Sequence, residues 1–144
     1  MSILVINAGS SSVKFGLFRL DSLEPVARGL LDWAGETRRA TVKLTPEQGE
    51  PICKQLDVPD YRAGVVAALE MLRESKLVSG ESAIRVVGHR LIHGSEKIRR
   101  PVRIDAAMKE VIARYAHLAP LHIPAGLEAI AATESALPGV LQVG

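Results

Sequence analysis

The pattern of hydrophobic and polar positions predicts short strands throughout the first 56 residues. An apolar run at residues 3–6 is long enough for one buried strand and too short for a helix. Asn7 ends that run, and residues 40–44 alternate apolar and polar side chains, as a half-buried strand does. Further strand-like segments, separated by turns, lie at residues 13–18, 26–33 and 52–56. We therefore expect a mostly antiparallel meander.

The pattern changes to a helical period after residue 60. Asp60 is a plausible N-cap, and the helix that follows should run to about Lys76 before Ser79-Gly80 ends it. Its apolar positions recur at helical spacing at Tyr61, Val65, Leu69 and Leu72. Residues 85–93 then read as another strand.

Two more helices and a strand are predicted in the remainder of the chain. Asp105 can cap one helix, and Pro124 suits the first turn of the next, with Leu127, Ile130 and Ala131 facing inward. Residues 140–143 begin an apolar strand. The order of elements predicts an α/β fold, which we take as one domain over residues 1–144.

Composition narrows the class of protein. The 144 residues are 47% hydrophobic, 24% charged and only 3% aromatic, with a net charge of +2. These values suit a small globular core of aliphatic side chains and argue against an aromatic platform for nucleic acid. The basic cluster Lys97, Arg99, Arg100 and Arg103 fits a solvated loop better than a nucleic-acid site. Cys53 is the single cysteine, and no stretch has membrane-spanning length, so we expect a cytoplasmic protein without a membrane partner.

The first turn has the chemistry of an anion site. Residues 8–12 read Ala-Gly-Ser-Ser-Ser and can offer backbone N–H groups and hydroxyls, while Lys14 adds a nearby cation. The spacing matches neither a Walker loop nor a dinucleotide fingerprint. On the turn alone, a hairpin with a polar tip is the favoured interpretation.

A second candidate group lies far along the chain. Alternation on the predicted strand puts Arg90 and Ile92 on one face, and an apolar wall beside a guanidinium suits a short carboxylate with a small alkyl tail. Arg90 could instead pair with Glu96. His122, held between Pro120 and Pro124 before a helix, is either an anion contact or a structural histidine.

Three segments together resemble the acetokinase family, the acetate kinases. They are residues 5–15 (Val-Ile-Asn-Ala-Gly-Ser-Ser-Ser-Val-Lys-Phe), 88–94 (Gly-His-Arg-Leu-Ile-His-Gly) and 118–122 (Leu-Ala-Pro-Leu-His). The resemblance implies part of an actin-like, Hsp70-like (ribonuclease H-like) phosphotransferase fold, a mixed sheet with flanking helices. It also implies reversible transfer of a phosphoryl group from ATP to acetate with Mg²⁺, giving acetyl phosphate and ADP.

The resemblance assigns roles residue by residue. Asn7, Ser10, Ser12 and Lys14 match the first phosphate loop, with Asn7 near the metal. Arg90 matches the arginine that holds the carboxylate or phosphoryl group, and His122 matches a histidine that stabilises the phosphoryl group in the transition state. Ile92 and Leu121 match two residues that form walls of the family's methyl pocket.

The chain also departs from the family pattern. Ile123 and Gly126 stand where the family usually has asparagines, and Ser95 stands where it has glycine. The catalytic aspartate, a second histidine and arginine, a metal-binding glutamate and the nucleotide-binding domain are absent from these residues. We therefore expect an inactive N-terminal portion with an exposed sheet edge, whose longer relatives form homodimers. A propionate or butyrate kinase portion and a non-catalytic binding module are alternatives.

Overall fold

The computed structural model describes residues 1–35, 38–80, 83–91 and 98–144. The strands are β1 (Ser2–Ala8), β2 (Ser12–Arg19), β3 (Pro25–Asp32), β4 (Arg39–Pro46), β5 (Ile52–Asp57), β6 (Ile84–His89) and β7 (Leu141–Val143). The helices are α1 (Tyr61–Glu74), α2 (Ala106–Arg114) and α3 (Ile123–Ala136), with a 3₁₀ turn at Ala116–Leu118. No helix in the described ranges is both long enough and apolar enough to cross a membrane.

All seven of these strands form one mixed sheet. Their order is β5-β4-β3-β2-β1-β6-β7. The first five pair antiparallel with their neighbours in sequence, so the predicted meander is confirmed. Strand β6 instead pairs parallel with β1, and β7 pairs parallel with β6. Parallel strands need a crossover, and here α1 and α3 lie within the two connections.

The helices cover one face of the sheet. Leu4, Ile6 and Ala8 alternate along β1 and are buried in the same cluster as Val65 of α1 and Ala129 of α3. Side chains of the opposite alternation point to the other face, where Val5 remains 37% exposed. The sheet therefore has one covered face, called here the helix face, and one open face.

Side-chain caps fix the starts of two helices as predicted. An Asp60 carboxylate oxygen accepts the Ala63 N–H at 2.8 Å, and an Asp105 carboxylate oxygen accepts the Met108 N–H at 2.8 Å. Each bond satisfies a donor that the first helical turn would otherwise leave unpaired. Pro124 lies in the first turn of α3, where its missing N–H is tolerated.

The structure corrects the predicted end of one strand. The strand expected at residues 85–93 ends at His89, since the parallel pairing with β1 goes no further than Ile6 and His89. Ile92 and His93 lie outside the described residues.

Two other expectations are wrong. Ala131 is exposed, and its neighbour Ala132 is buried instead. The outer side of β7 is not free, since Val102 N–H donates to Gly144 O at 3.0 Å and Ile104 N–H donates to Gln142 O at 2.9 Å. A short segment, residues 102–104, therefore covers that edge.

Glycine at position 29 is required by packing. Gly29 is the β3 partner of Phe15 on β2, and a Cβ built on Gly29 would lie 1.9 Å from the Phe15 ring carbon Cζ. The Phe15 ring thus occupies the space that any side chain at position 29 needs.

We predict that Gly29→Ala lowers the free energy of unfolding by about 1–3 kcal/mol, as overpacking of a well-filled core does. Urea unfolding followed by circular dichroism measures the loss. Gly88→Ala is the matched strand control, because its Cβ would meet only Val5 Cγ2 at an ordinary 3.9 Å. Equal losses for the two variants would contradict the packing explanation.

A buried polar pair joins β6 to β7. His89 Nε2 lies 2.6 Å from Gln142 Oε1, and Gln142 Nε2 donates to Ile130 O of α3 at 3.4 Å. Burial lowers the pKa of His89 below its ordinary 6.5, and the hydrogen bond to Gln142 Oε1 only partly opposes this. The neutral ring, donating Nε2–H, is therefore the form that the folded state holds.

We predict that stability falls as the pH drops below about 6.5. There the unfolded chain takes up a proton at His89 before the folded chain does, so acid favours unfolding until the pH passes the lower folded-state pKa. Urea midpoints from pH 8 to about pH 5 measure this, and His89→Gln should flatten that part of the curve. His117→Gln, at an exposed histidine, should leave it unchanged; a similar flattening by both would contradict the assignment.

Candidate functional site

The β1–β2 loop is a tight turn held from the helix face. Gly9 N–H donates to Ser12 O at 2.8 Å, which closes the turn. The Tyr61 hydroxyl, at the start of α1, donates to Gly9 O. The backbone N–H of Trp33 donates to Ser11 O at 3.2 Å. The loop serines keep small exposed side chains, so an approaching anion would meet no bulky group at Ser10.

Asn7 and Lys14 lie together beside this loop. They are directly paired across β1 and β2, on the alternation that faces away from the helices. Ser12 has the same alternation as Lys14, two residues earlier on β2. Asn7 and Lys14 line an open groove of about 420 Å³, whose apolar wall includes Val5 and Phe18. Three of the four predicted loop residues therefore face the open side of the sheet.

Arg90 is brought to the same edge by strand pairing. Ile6 is the parallel partner of His89, and the Arg90 N–H donates to Ile6 O at 3.0 Å. Arg90 therefore lies alongside Asn7, where β1 leads into the Gly-Ser loop. Its side chain is exposed. The alternative partner Glu96 and the predicted pocket wall Ile92 lie outside the described residues.

The loop before α3 presents His122 and Leu121. Leu91, which follows Arg90, packs against the small buried cluster that contains Ile112 and Ile123. A Cβ on Gly126 would lie 3.2 Å from Leu91 Cδ2, so the first turn of α3 sits close to the end of β6. This packing brings the segment that carries His122 toward the edge that carries Arg90.

His122 has a polar atom without a protein partner. Within the described part of the chain, its Nδ1 is buried and makes no hydrogen bond. A buried polar atom of this kind costs stability unless a ligand or water satisfies it. Leu121 beside it is 67% exposed, an unusual position for a leucine and one that suits an incomplete apolar pocket.

The described residues do not fit a complete Mg²⁺ site. They bring no three His, Cys, Asp or Glu side chains together. Nearby carboxylates serve local structure instead, since Asp32 accepts the Ala34 N–H and Asp60 caps α1. Mg²⁺ favours an octahedron of oxygen ligands that usually includes carboxylates, whereas Asn7 offers one neutral oxygen. The arrangement suits an anion better than a metal held by this chain alone.

Sequence reasoning missed the aromatic pair behind the loop. Trp33 and Tyr61 meet edge to face, with ring centroids 5.4 Å apart at 68°. With Ser10, Ser11 and Asp60 they line a small open cavity of about 310 Å³. The hydrophobic periodicity marks Tyr61 only as an apolar helix position. It cannot reveal the hydroxyl's contact, because a hydrogen bond to a backbone carbonyl leaves no pattern in residue types.

Comparison with known proteins identifies the family. A model of the acetokinase family matches residues 2–144. The chain belongs to the acetokinase family. It is similar to the acetate kinase of Bacteroides fragilis, with 37% identity over 146 residues that cover 100% of this chain and 36% of that protein. The chain thus spans about a third of the length of the curated acetokinases it matches.

Solved acetokinase structures have the same fold. The crystal structure of Porphyromonas gingivalis acetate kinase matches with a TM-score of 0.92 and 36% identity, covering 99% of this chain and 36% of that one. A propionate kinase from Francisella tularensis matches with a TM-score of 0.86 and 33% identity, covering 99% and 35%. The expected fold class is confirmed, since the mixed seven-stranded sheet and three helices fit part of an actin-like fold.

Proposed function

We propose that residues 1–144 form an N-terminal domain that supplies the anion-binding half of an acetate kinase active site. The observation that supports this most directly is the pairing of β6 with β1, which sets Arg90 beside Asn7 at the start of the Gly-Ser loop. One cation and one loop of donors then border a single patch. Membership of the acetokinase family supports the same proposal.

The proposed reaction is transfer of a phosphoryl group to a carboxylate. An acetate oxygen attacks the γ-phosphorus of ATP, a new P–O bond forms, and the bond to the departing ADP oxygen breaks. Phosphoryl transfer depends mainly on positioning and on stabilising charge at the three equatorial oxygens. In our proposal Arg90 holds the carboxylate or phosphoryl group, and His122 Nδ1 and Lys14 approach those oxygens. Ser10 and Ser12 contribute loop donors, and Leu121 with Ile92 borders the methyl group.

The remaining components lie outside this chain in the proposal. Mg²⁺ would supply positive charge to the phosphoryl oxygens, and Asn7 is the residue of this chain that we propose would lie nearest to it. The adenosine portion of ATP or ADP is assigned to the part of the longer relatives that has no counterpart here. Assembly as a homodimer and a cytoplasmic location are proposed for the longer protein.

A second candidate substrate is propionate. The Francisella structure with a TM-score of 0.86 is described as a propionate kinase, so the same fold occurs in proteins described as acetate kinases and as propionate kinases. The bulk of Ile92 favours acetate, because a larger side chain shortens an alkyl pocket. Comparing kcat/KM for acetate, propionate and butyrate in a longer protein carrying these residues would distinguish the substrates. A non-catalytic binding module remains the alternative for the chain by itself.

We predict that the 144-residue chain binds acetyl phosphate weakly and that Arg90→Ala reduces the affinity at least about tenfold. A hydrogen bond to a charged group contributes roughly 1.5–3 kcal/mol, which corresponds to a factor of that size. Chemical-shift titration of the ¹⁵N-labelled chain measures the affinity and shows which amides respond. Signals of residues 7–14 should move.

Arg85→Ala is the control for this measurement. Arg85 is also exposed and lies on the same strand, near its opposite end. It should leave the affinity unchanged. If both variants weaken binding equally, the effect comes from net charge, and the assignment of Arg90 fails.

We also predict no turnover by the chain alone. With acetate, ATP and Mg²⁺ present, a coupled assay should detect no ADP release above the rate without protein. The described residues bring together no cluster of metal ligands, and the chain covers only 36% of its Bacteroides fragilis relative. Turnover that disappears in Arg90→Ala would overturn this prediction. Turnover that persists in that variant would point to a contaminating enzyme, which a mock purification would also contain.

A further inference from the structure

We propose that Tyr61 is a positioning residue for the anion loop, aiming the Ser10 N–H toward the open side of the sheet. This inference rests on the proposed function, since it concerns how the same loop is held ready. Tyr61 itself lies behind the loop, on the helix face, and touches no substrate in this proposal.

The contacts of Tyr61 fix its hydroxyl in place. It is the first residue of α1, directly after the Asp60 cap, so its backbone is anchored by the helix. Its ring packs edge-on against Trp33, whose own indole N–H donates to Val58 O at 2.7 Å. The hydroxyl then donates to Gly9 O. A rigid helix start is thereby connected to the apex of a loop of small residues.

The planar peptide group between Gly9 and Ser10 relates the direction of Gly9 O to that of the Ser10 N–H. In a planar trans peptide the C=O and the following N–H point opposite ways, and the described part of the chain has no cis peptide. Because Gly9 O points toward Tyr61, at the start of α1 on the helix face, the Ser10 N–H points away from that helix. Asn7 and Lys14 also lie on the side of the sheet away from the helices.

The Ser10 N–H is available for a ligand. Among the described residues it donates no hydrogen bond, although Gly9 N–H is used within the turn. Ser11 O accepts the backbone N–H of Trp33, and Gly9 O accepts the Tyr61 hydroxyl, so the carbonyls on both sides of Ser10 already have hydrogen bonds. An anion therefore meets a donor that needs no reorganisation, which reduces the entropic cost of binding.

Tyr61 stays a donor throughout the neutral range. Burial, with a smaller contribution from the charge of Glu128, raises the pKa of its phenol above the ordinary 10.0. The hydroxyl therefore keeps its proton, which it must do in order to donate to Gly9 O. Phenylalanine at this position would keep the ring contact with Trp33 and remove only that donor.

The test compares Tyr61→Phe with Tyr115→Phe, which removes the hydroxyl of the chain's other tyrosine, at the end of α2. Titration of the ¹⁵N-labelled 144-residue chain with inorganic phosphate gives the affinity and the response of the Ser10 amide. We expect Tyr61→Phe to weaken binding roughly fivefold, the effect of losing one ordinary hydrogen bond. In Tyr61→Phe without phosphate, the NMR signal of the Ser10 amide should also broaden or shift, while the thermal midpoint of unfolding changes little. Tyr115→Phe should leave both unchanged.

The outcomes separate the two proposals. Unchanged phosphate affinity and an unchanged Ser10 amide in Tyr61→Phe would overturn the positioning role and leave the anion site standing. Absence of phosphate binding by the unsubstituted chain would count against the anion site and, with it, against this inference. A loss of affinity that only tracks a large drop in thermal midpoint would mean a general structural role and would also overturn the proposal.

Discussion

The double pairing of β1 is the constraint on which the candidate site depends. On one side β1 pairs antiparallel with β2, which forces the chain to turn at Gly9 and sets Lys14 opposite Asn7. On its other side it pairs parallel with β6, which delivers Arg90 to the same end of the strand. Residues more than 80 positions apart in sequence thus meet because backbone hydrogen bonds fix their register. A slip of one residue in β6 would carry Arg90 to the helix face, where a guanidinium would have to be buried.

Much of this arrangement was readable from the sequence, and the reasons differ between elements. The meander and the two capped helices follow from local signals, namely period-two alternation and aspartates at helix starts. The end of β6 was not readable, because alternation continues past His89 whereas the parallel pairing with β1 ends there. The face of α3 was misjudged at Ala131 because neighbouring alanines give no contrast between inside and outside. The role of Tyr61 depends on a contact across 52 residues to a backbone atom, which no residue pattern encodes.

One face of the sheet is packed against the helices, and the other is open to solvent. On the helix face, side chains such as Leu4, Ile6 and Phe15 are packed so closely that position 29 must be glycine. His89 also lies in the buried interior, neutral and bonded to Gln142. Arg90, next in the chain, is exposed at the end of the strand. Adjacent residues at the end of β6 therefore have opposite surroundings, because alternation sends one inward to a dry core and the next outward to solvent.

The charges at this edge suit the proposed role of the chain as one part of a phosphotransferase site. Arg90, Lys14 and a free Ser10 N–H all attract negative charge, whereas the described carboxylates Asp32 and Asp60 are already engaged with backbone donors. A magnesium ion needs oxygen ligands that carry negative charge, such as carboxylates. Carboxylates placed beside Arg90 and Lys14 would pair with those cations, so neither group would be free for its own ligand. Placing the metal ligands in the part of the longer relatives that has no counterpart here, as we propose, avoids this conflict and leaves this edge to bind the anion.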